Sequence, residues 1–495
     1  MGERFTRWSS LAAVTVSLVL VGCASGQDSD TAPAPVEPGA PLTADDLAEF
    51  GGVAVIDVAS RCTATLIETG VDSAPAYLLT NGHCVGLDSS PANRTIVDAE
   101  AFGDATFFQT SDTPDADRLR VPVVRTEYAT MRGVDLAIVR LDATLGELRA
   151  DHAIPLPIAA EPAAAGAKVV NIAAPTQGLD DDEWVLRRGD CKIGNTTDLI
   201  EFTWFWLDAQ SNDCPGVLGG SSGSPLIAAG VVMSIINTTN TGVPEGRGDT
   251  CYLGKPCEVD GAAAVSMPET SYGVDVAGVG SCFVDGVFVL GAPCPLDVST
   301  LWDIAGGGIF GADGVDSGGL TPQLKLRSDS DVDVAVSAAI PIGEASRCAD
   351  ASTYADAELV SVAADSEEAV IVPVPLPSEH GFVLLCAAVP GEEAVAARFV
   401  YSIDTIAPTD GPSLAVAKND DGVIMVDPRF AIPDIADIHV LFGDPSTTDC
   451  AKRSEYRPYL RQSFFFDPDE QPVRFRAVGF DMAGNESPVT DEVLE

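Results

Sequence analysis

Gly219-Gly220-Ser221-Ser222-Gly223-Ser224-Pro225, continued by Leu226-Ile227-Ala228-Ala229, is the stretch on which the reading of this chain turns. Glycine admits backbone angles closed to other residues and lets neighbouring atoms come close. A serine among glycines, followed by proline and an apolar run, therefore describes a tight turn feeding a buried strand. A nucleophilic serine needs that setting: an exposed hydroxyl, with neighbouring backbone N–H groups free to bind an oxyanion. The competing reading is a plain flexible Gly/Ser loop. What separates the two lies upstream.

Short β-favouring runs divided by turn residues surround the loop, at 53–58, 64–67, 77–80, 136–141, 168–172, 199–207 and 230–236. Without a long amphipathic helix among them, they predict an all-β barrel or sandwich. Thr80-Asn81-Gly82-His83-Cys84-Val85 follows one such run, with Cys62 upstream in Arg61-Cys62-Thr63-Ala64. A Cys62–Cys84 disulfide would tie two strands together and fix the histidine beside it. Only His83, His152, His380 and His439 are present, so any imidazole base comes from these four, and a histidine-rich metal site is disfavoured. A third stretch, Val134-Asp135-Leu136-Ala137-Ile138-Val139-Arg140-Leu141, brings an aspartate into an apolar strand. Taken singly, His83 reads as a surface-turn residue and Asp135 as a solvated acid.

Together, and in this order, the three stretches resemble the chymotrypsin-like (trypsin-like) serine proteases, and the serine loop is similar to that of bacterial glutamyl endopeptidases. The resemblance covers about 47–300. It implies two packed β-barrels with the site between them, His83 and Asp135 from the first and Ser222 from the second. It assigns Ser222 as nucleophile, His83 as general base then acid, Asp135 as the residue orienting the imidazole, and the N–H groups of Gly220 and Ser222 as the oxyanion hole. Departures are visible. Asn81 and Gly82 replace two alanines. Ser221 stands where zymogen-type relatives carry the aspartate that pairs with a newly cut N-terminus, which implies a site formed without that switch. Ser224 replaces a usual glycine, as in the bacterial subgroup. Ser221 and Ser224 are rival nucleophiles by composition, but a Gly-x-Ser-x-Gly esterase elbow fails because Ser224 occupies its last glycine. Six residues before Ser222 lies Gly216 rather than an acid, so a basic-residue preference has no support. Ile236 stands where glutamyl endopeptidases carry histidine, which argues against a glutamate preference. Asp213 reads as a solvated loop acid.

Residues 1–22 read as an export signal: Arg4 and Arg7, then an apolar core at 11–21 too short to span a bilayer. Leu20-Val21-Gly22-Cys23 resembles the bacterial lipobox, which implies cleavage before Cys23 and its lipidation, hence a membrane surface outside the cytoplasm, in the bacterial cell envelope. Residues 23–46, rich in Ala, Pro, Asp, Ser and Gly, read as a flexible tether. The net charge of −46 argues against nucleic acid and anionic lipid as partners, since phosphate is repelled. Twelve cysteines in an exported chain point to disulfides, with metal binding as the alternative. Besides Cys62–Cys84, proximity suggests Cys191–Cys214, Cys251–Cys257 and Cys282–Cys294.

Beyond 302 the chain reads as a Gly-rich linker to 320 and two modules, 321–406 and 407–495. Cys348 is followed six residues later by Tyr354, and Cys450 by Tyr456. The first copy can close Cys348–Cys386; the second carries Arg476 where Cys386 would align, leaving Cys450 odd. Phe480-Asp481-Met482-Ala483-Gly484-Asn485 resembles the closing strand of bacterial fibronectin-type or immunoglobulin-like domains, so β-sandwich modules are expected, serving attachment or acting as a spacer. The expectation is thus an all-β chain, a two-barrel peptidase domain over 47–301 followed by two sandwiches. It would hydrolyse protein or peptide substrates without a cofactor or metal. The rival is an envelope adhesion lipoprotein on a degenerate protease fold.

Overall fold

A computed structural model describes residues 36–86, 95–242, 251–296, 302–328, 330–364, 366, 368–448 and 452–495. The export signal, Cys23 and Cys450 lie outside them. The first barrel comprises β1 (Val53–Asp57), β2 (Arg61–Leu66), β3 (Pro75–Thr80), β4 (Thr95–Phe107), β5 (Leu119–Thr130) and β6 (Leu136–Thr144). They close in the order β1-β2-β3-β6-β5-β4. Successive side chains of a strand point to opposite faces, and here both faces are apolar. Ala54, Ile56, Ala64, Leu66, Leu78 and Val139 join a cluster confined to residues 54–153. Val53, Val55, Tyr77, Leu79 and Ile138 join Ile172, Ile227, Val232, Ile235 and Val274 of the second barrel. Burial on both sides explains why these strands read as continuous apolar runs rather than as alternation.

The second barrel uses β7 (Lys168–Ala173), β8 (Arg187–Glu201), β9 (Trp204–Asn212), β10 (Pro225–Ala228), β11 (Val231–Thr239), β12 (Cys257–Asp260), β13 (Ala263–Ser266) and β14 (Ser271–Asp275). The order is β9-β14-β11-β10-β7-β8, and β8 pairs back onto β9 to close the ring, with the β12–β13 hairpin continuing from β8. The described end of the expected tether is a correction: residues 36–46 are not free. Ala40–Pro41 pairs with β8, and Leu42 is buried in the core shared by the barrels. One well-buried leucine with strand partners outweighs the Pro/Gly composition around it.

Two sandwiches follow. In the first, a sheet of Trp302–Ala305, Gln323–Ser328 and Val370–Pro373 faces one of Gly308–Phe310, Ala397–Ile403, Gly381–Ala388, Val332–Val336 and Leu359–Val362. Leu324 and Leu326 of one meet Leu385, Phe399 and Tyr401 of the other. In the second, Leu414–Lys418, Ile424–Pro428 and Phe464–Phe466 face Arg457–Pro458, Asp437–Gly443, Val473–Phe480 and Glu486–Leu494. The expected linker is also corrected, because Trp302–Ala305 and Gly308–Phe310 are strands within the first sandwich. Gly306 and Gly307 serve close packing rather than flexibility. A Cβ on Gly306 would lie 2.3 Å from Leu324 Cδ2, and one on Gly307 2.7 Å from Thr203 Cβ.

Candidate active site

His83 opens a short 3-10 turn, His83–Val85, just after β3. Its Nδ1 lies 2.6 Å from Asp135 Oδ2, and its backbone N–H donates to Asp135 Oδ1 at 3.1 Å. The carboxylate thus grips both the ring and the main chain of one residue. A proton held on Nδ1 leaves Nε2 as the basic nitrogen. Asp135, immediately before β6, is 1% exposed. Asn81 Nδ2 donates to the Asp135 carbonyl at 2.7 Å, pinning the aspartate's backbone. In the sequence Asn81 and Gly82 stand out only as departures from the family's pattern. A Cβ on Gly82 would sit 2.3 Å from the Thr130 carbonyl, so glycine is demanded by close approach. The Cys62–Cys84 disulfide, S–S 2.05 Å, ties β2 to this turn, and Cys62 Sγ stands 3.9 Å from His83 Nε2. Cys62, His83 and Cys84 cluster within metal-binding reach, but with both sulfurs in a disulfide neither is a thiolate ligand.

The serine loop lands on the same stretch of β2. The Ser222 carbonyl accepts from the Thr63 N–H at 2.8 Å. Gly223, at φ +77°, fits so tightly that a Cβ would lie 2.3 Å from both the Thr63 carbonyl and Thr80 Oγ1. The Gly223 N–H donates to the Ile236 carbonyl, and the Ile236 N–H to the Ser224 carbonyl, which docks the loop on β11. Of the three serines, Ser221 and Ser224 are fully buried and engaged. Ser221 Oγ accepts from the Leu218 N–H, and Ser224 Oγ accepts from Asn171 Nδ2. Ser222 alone is partly exposed.

Three consecutive peptides of this loop are pinned by their hydrogen bonds. The Gly219 carbonyl accepts from the Thr176 and Gln177 N–H groups at 2.7 and 3.2 Å, and its N–H donates to Gln177 Oε1. The Gly220 carbonyl accepts from Thr63 Oγ1 at 2.9 Å, while the Ser221 N–H reaches the Leu218 carbonyl. The Ser221 carbonyl accepts from the Ser224 N–H at 3.0 Å. In a trans peptide the C=O and the next N–H point opposite ways. Carbonyls turned into the fold at Gly219 and Ser221 therefore turn the N–H groups of Gly220 and Ser222 out of it. Among the described residues neither of these two N–H groups is hydrogen-bonded.

Several neighbours had no sequence signal. Glu201, at the end of β8, is buried and accepts from Trp206 Nε1, Thr238 Oγ1 and the Gly254 N–H at 2.9, 3.0 and 2.7 Å. Burial raises its pKa above the ordinary glutamate value. It joins β9, β11 and the loop closed by Cys251–Cys257. Lying alone among many acids, it offered no motif. Thr239, Thr241 and Ser271 form a cluster of hydroxyls between β11 and β14. At Gly216 a Cβ would lie 2.4 Å from the Gly39 N, and exposed Asp213 accepts from the Lys192 N–H. The Cys191–Cys214, Cys282–Cys294 and Cys348–Cys386 bridges are formed as well.

Residues 62–233 match the family model described as a trypsin-like peptidase domain. That span contains His83, Asp135 and Ser222. No curated protein matches the chain. Among solved structures the chain is similar to one titled "Structure of Glu endopeptidase in complex with MPD", at 15% identity and a TM-score of 0.34, over 50% of this chain and 95% of that one.

Proposed function

We propose, for a chain whose residues 62–233 carry a trypsin-like peptidase domain, that it is a serine endopeptidase working through His83, Asp135 and Ser222. The Ser222 Oγ attacks the substrate carbonyl carbon while His83 Nε2 takes its proton. The carbonyl oxygen becomes an oxyanion received by the N–H groups of Gly220 and Ser222. Collapse breaks the C–N bond, and His83 returns the proton to the leaving amine, which departs from an acyl-enzyme. Water, deprotonated by the same nitrogen, then frees the acid and restores the Ser222 hydroxyl. Asp135 keeps the imidazole in one tautomer and stabilises the imidazolium of each step.

The observation that carries this reading is the pair of open N–H groups flanking the one serine of three that is not buried. Such donors stabilise charge where it develops, and losing one costs about 3–4 kcal/mol of barrier in comparable sites. The substrate is a protein or peptide. The apolar stretch within 1–22 and the lipobox-like Leu20-Val21-Gly22-Cys23 support the proposal that the enzyme is exported and held by acyl chains on the outer side of a bacterial membrane. Intact-mass measurement of the mature chain reads the anchor: an unmodified Cys23 refutes it. A fluorophosphonate probe reads the site. Wild type should label and hydrolyse peptides, and Ser222→Ala should do neither. Equal labelling of both removes Ser222 from the mechanism, and no labelling of wild type favours an envelope binding protein.

A further inference from the structure

We propose that Thr63 and Gln177 are positioning residues for the oxyanion-binding pair, an assignment that rests on the peptidase reading above. The two N–H groups belong to a loop of the second barrel, yet one of the hydrogen bonds that orients them comes from the first. Thr63 is fully buried in β2, and its hydroxyl spans two backbones, donating to the Gly220 carbonyl at 2.9 Å and accepting from the Ala174 N–H at 3.0 Å. Its own N–H donates to the Ser222 carbonyl, and its own carbonyl accepts from Thr80 Oγ1, three residues before His83. A single residue therefore touches the Gly220–Ser221 peptide, the Ser222–Gly223 peptide and the strand that delivers the histidine. Gln177 works from the opposite, exposed side. Its Oε1 accepts from the Gly219 N–H at 3.1 Å, and its N–H, with that of Thr176, holds the Gly219 carbonyl.

Glycine is what makes such holding necessary. Gly220 sits at φ +99° between two further glycines one and three positions away, so the loop has little intrinsic preference for the observed peptide orientation. A rotation of the Gly219–Gly220 peptide would replace an N–H donor with a carbonyl oxygen facing the developing negative charge. On that peptide the Gly219 carbonyl is held by the Thr176 and Gln177 N–H groups and by Thr176 Oγ1 at 3.2 Å. The Gln177 and Thr63 side chains fix the peptides immediately before and after it, so the loop is set before substrate arrives, which is preorganisation rather than substrate binding.

The test compares Thr63→Val, Thr63→Ser and Gln177→Met in the full chain, each counted by fluorophosphonate-titrated active sites. Removing an oxyanion donor outright costs roughly 10²–10³ in kcat, so loosening its aim is expected to lower kcat about ten-fold in Thr63→Val and less in Gln177→Met. KM should move by less than about two-fold, since ground-state binding is untouched. Inhibition by a peptide aldehyde, whose adduct places an oxyanion in the same position, should weaken by the same factor as kcat. Thr63→Ser keeps the hydroxyl and should restore both. A purely structural role would reduce the number of titrated sites without changing kcat per site. Normal labelling with unchanged kcat in Thr63→Val and Gln177→Met overturns this proposal alone. Failure of wild type to label overturns the peptidase reading and this proposal with it. If Thr63→Val does not fold, exposed Gln177→Met decides.

Discussion

The two sandwiches share an architecture but not a relation to the barrels. The first has its own cluster between sheets, but Ile340, Ile342, Cys348, Leu384, Cys386 and Val400 belong to a second cluster with Ile200, Phe205, Cys251 and Cys257 of the second barrel. Hydrogen bonds cross the same seam, from the Val400 N–H to the Thr203 carbonyl and from Arg132, three residues before Asp135, to the Val395 carbonyl. The apolar cluster of the second sandwich draws only on residues from 414 onward. Its described hydrogen-bond links to the rest run through the turns at 311–320 and 404–406, among them the Ser317 N–H to the Met482 carbonyl and Asn485 Nδ2 to the Asp404 carbonyl. The lesson is that a domain's boundary is drawn by where its apolar surface is covered. By that measure the first sandwich is part of the fold of the two barrels and the second is an addition to it.

Truncation should break the comparison most visibly. A chain ending at 406 is expected to keep soluble, probe-reactive enzyme, while one ending at 301 exposes the shared cluster and should be lost to aggregation, as read by soluble yield and labelling. Equal behaviour of the two would erase the distinction. Core substitutions test it more finely. Ile342→Ala and Phe475→Ala should each cost about 2–5 kcal/mol. The first should lower the unfolding transition that abolishes probe reactivity, and the second only a separate transition, followed by calorimetry alongside residual activity.

The smallest effect is in the pH dependence, where the two regions should respond with opposite sign. Burial raises the pKa of Glu201, within the second barrel that the first sandwich packs against. Its contribution is full below the ordinary glutamate pKa and is lost as pH rises through the higher folded value. In the second sandwich, burial pushes Asp491 up, but hydrogen bonds from Arg474 and Arg476 prevail and hold it below the ordinary aspartate value. Its contribution is present above that ordinary value and is lost as pH falls through the folded one. Urea midpoints across pH should therefore flatten for the first transition in Glu201→Gln and for the second in Asp491→Asn. A wild-type slope surviving either substitution would sink the assignment for that region.

How much of this was legible depended on whether a residue acts through its neighbours in sequence or in space. The serine loop, the histidine turn and the aspartate strand are each short and carry their composition locally. The disulfides of closely spaced cysteines, such as Cys251–Cys257, follow from loop length. The repeat of Cys348 and Cys450 was visible, but its divergence acquires meaning only in the fold. Arg476, where the second copy lacks the matching cysteine, is buried, donates to the Thr448 carbonyl and is hydrogen-bonded to Asp491. The described tether and the Gly-rich linker misled because Pro and Gly report backbone freedom or close packing alike. Only Leu42 settling in the core, and Gly307 meeting Thr203, separate the two.

By itself the order of residues determined the strand-rich class, the exported character expected of the chain and the three side chains on which the chemistry is proposed to depend, since each rests on short-range composition. Tertiary structure alone decided which serine is accessible, which way the peptides around it face, and that Thr63, Asn81 and Glu201 matter. The reason is physical. Hydroxyl, amide and carboxylate groups are ambiguous until burial removes water as their partner, and which partner replaces water is set by strands far apart along the chain.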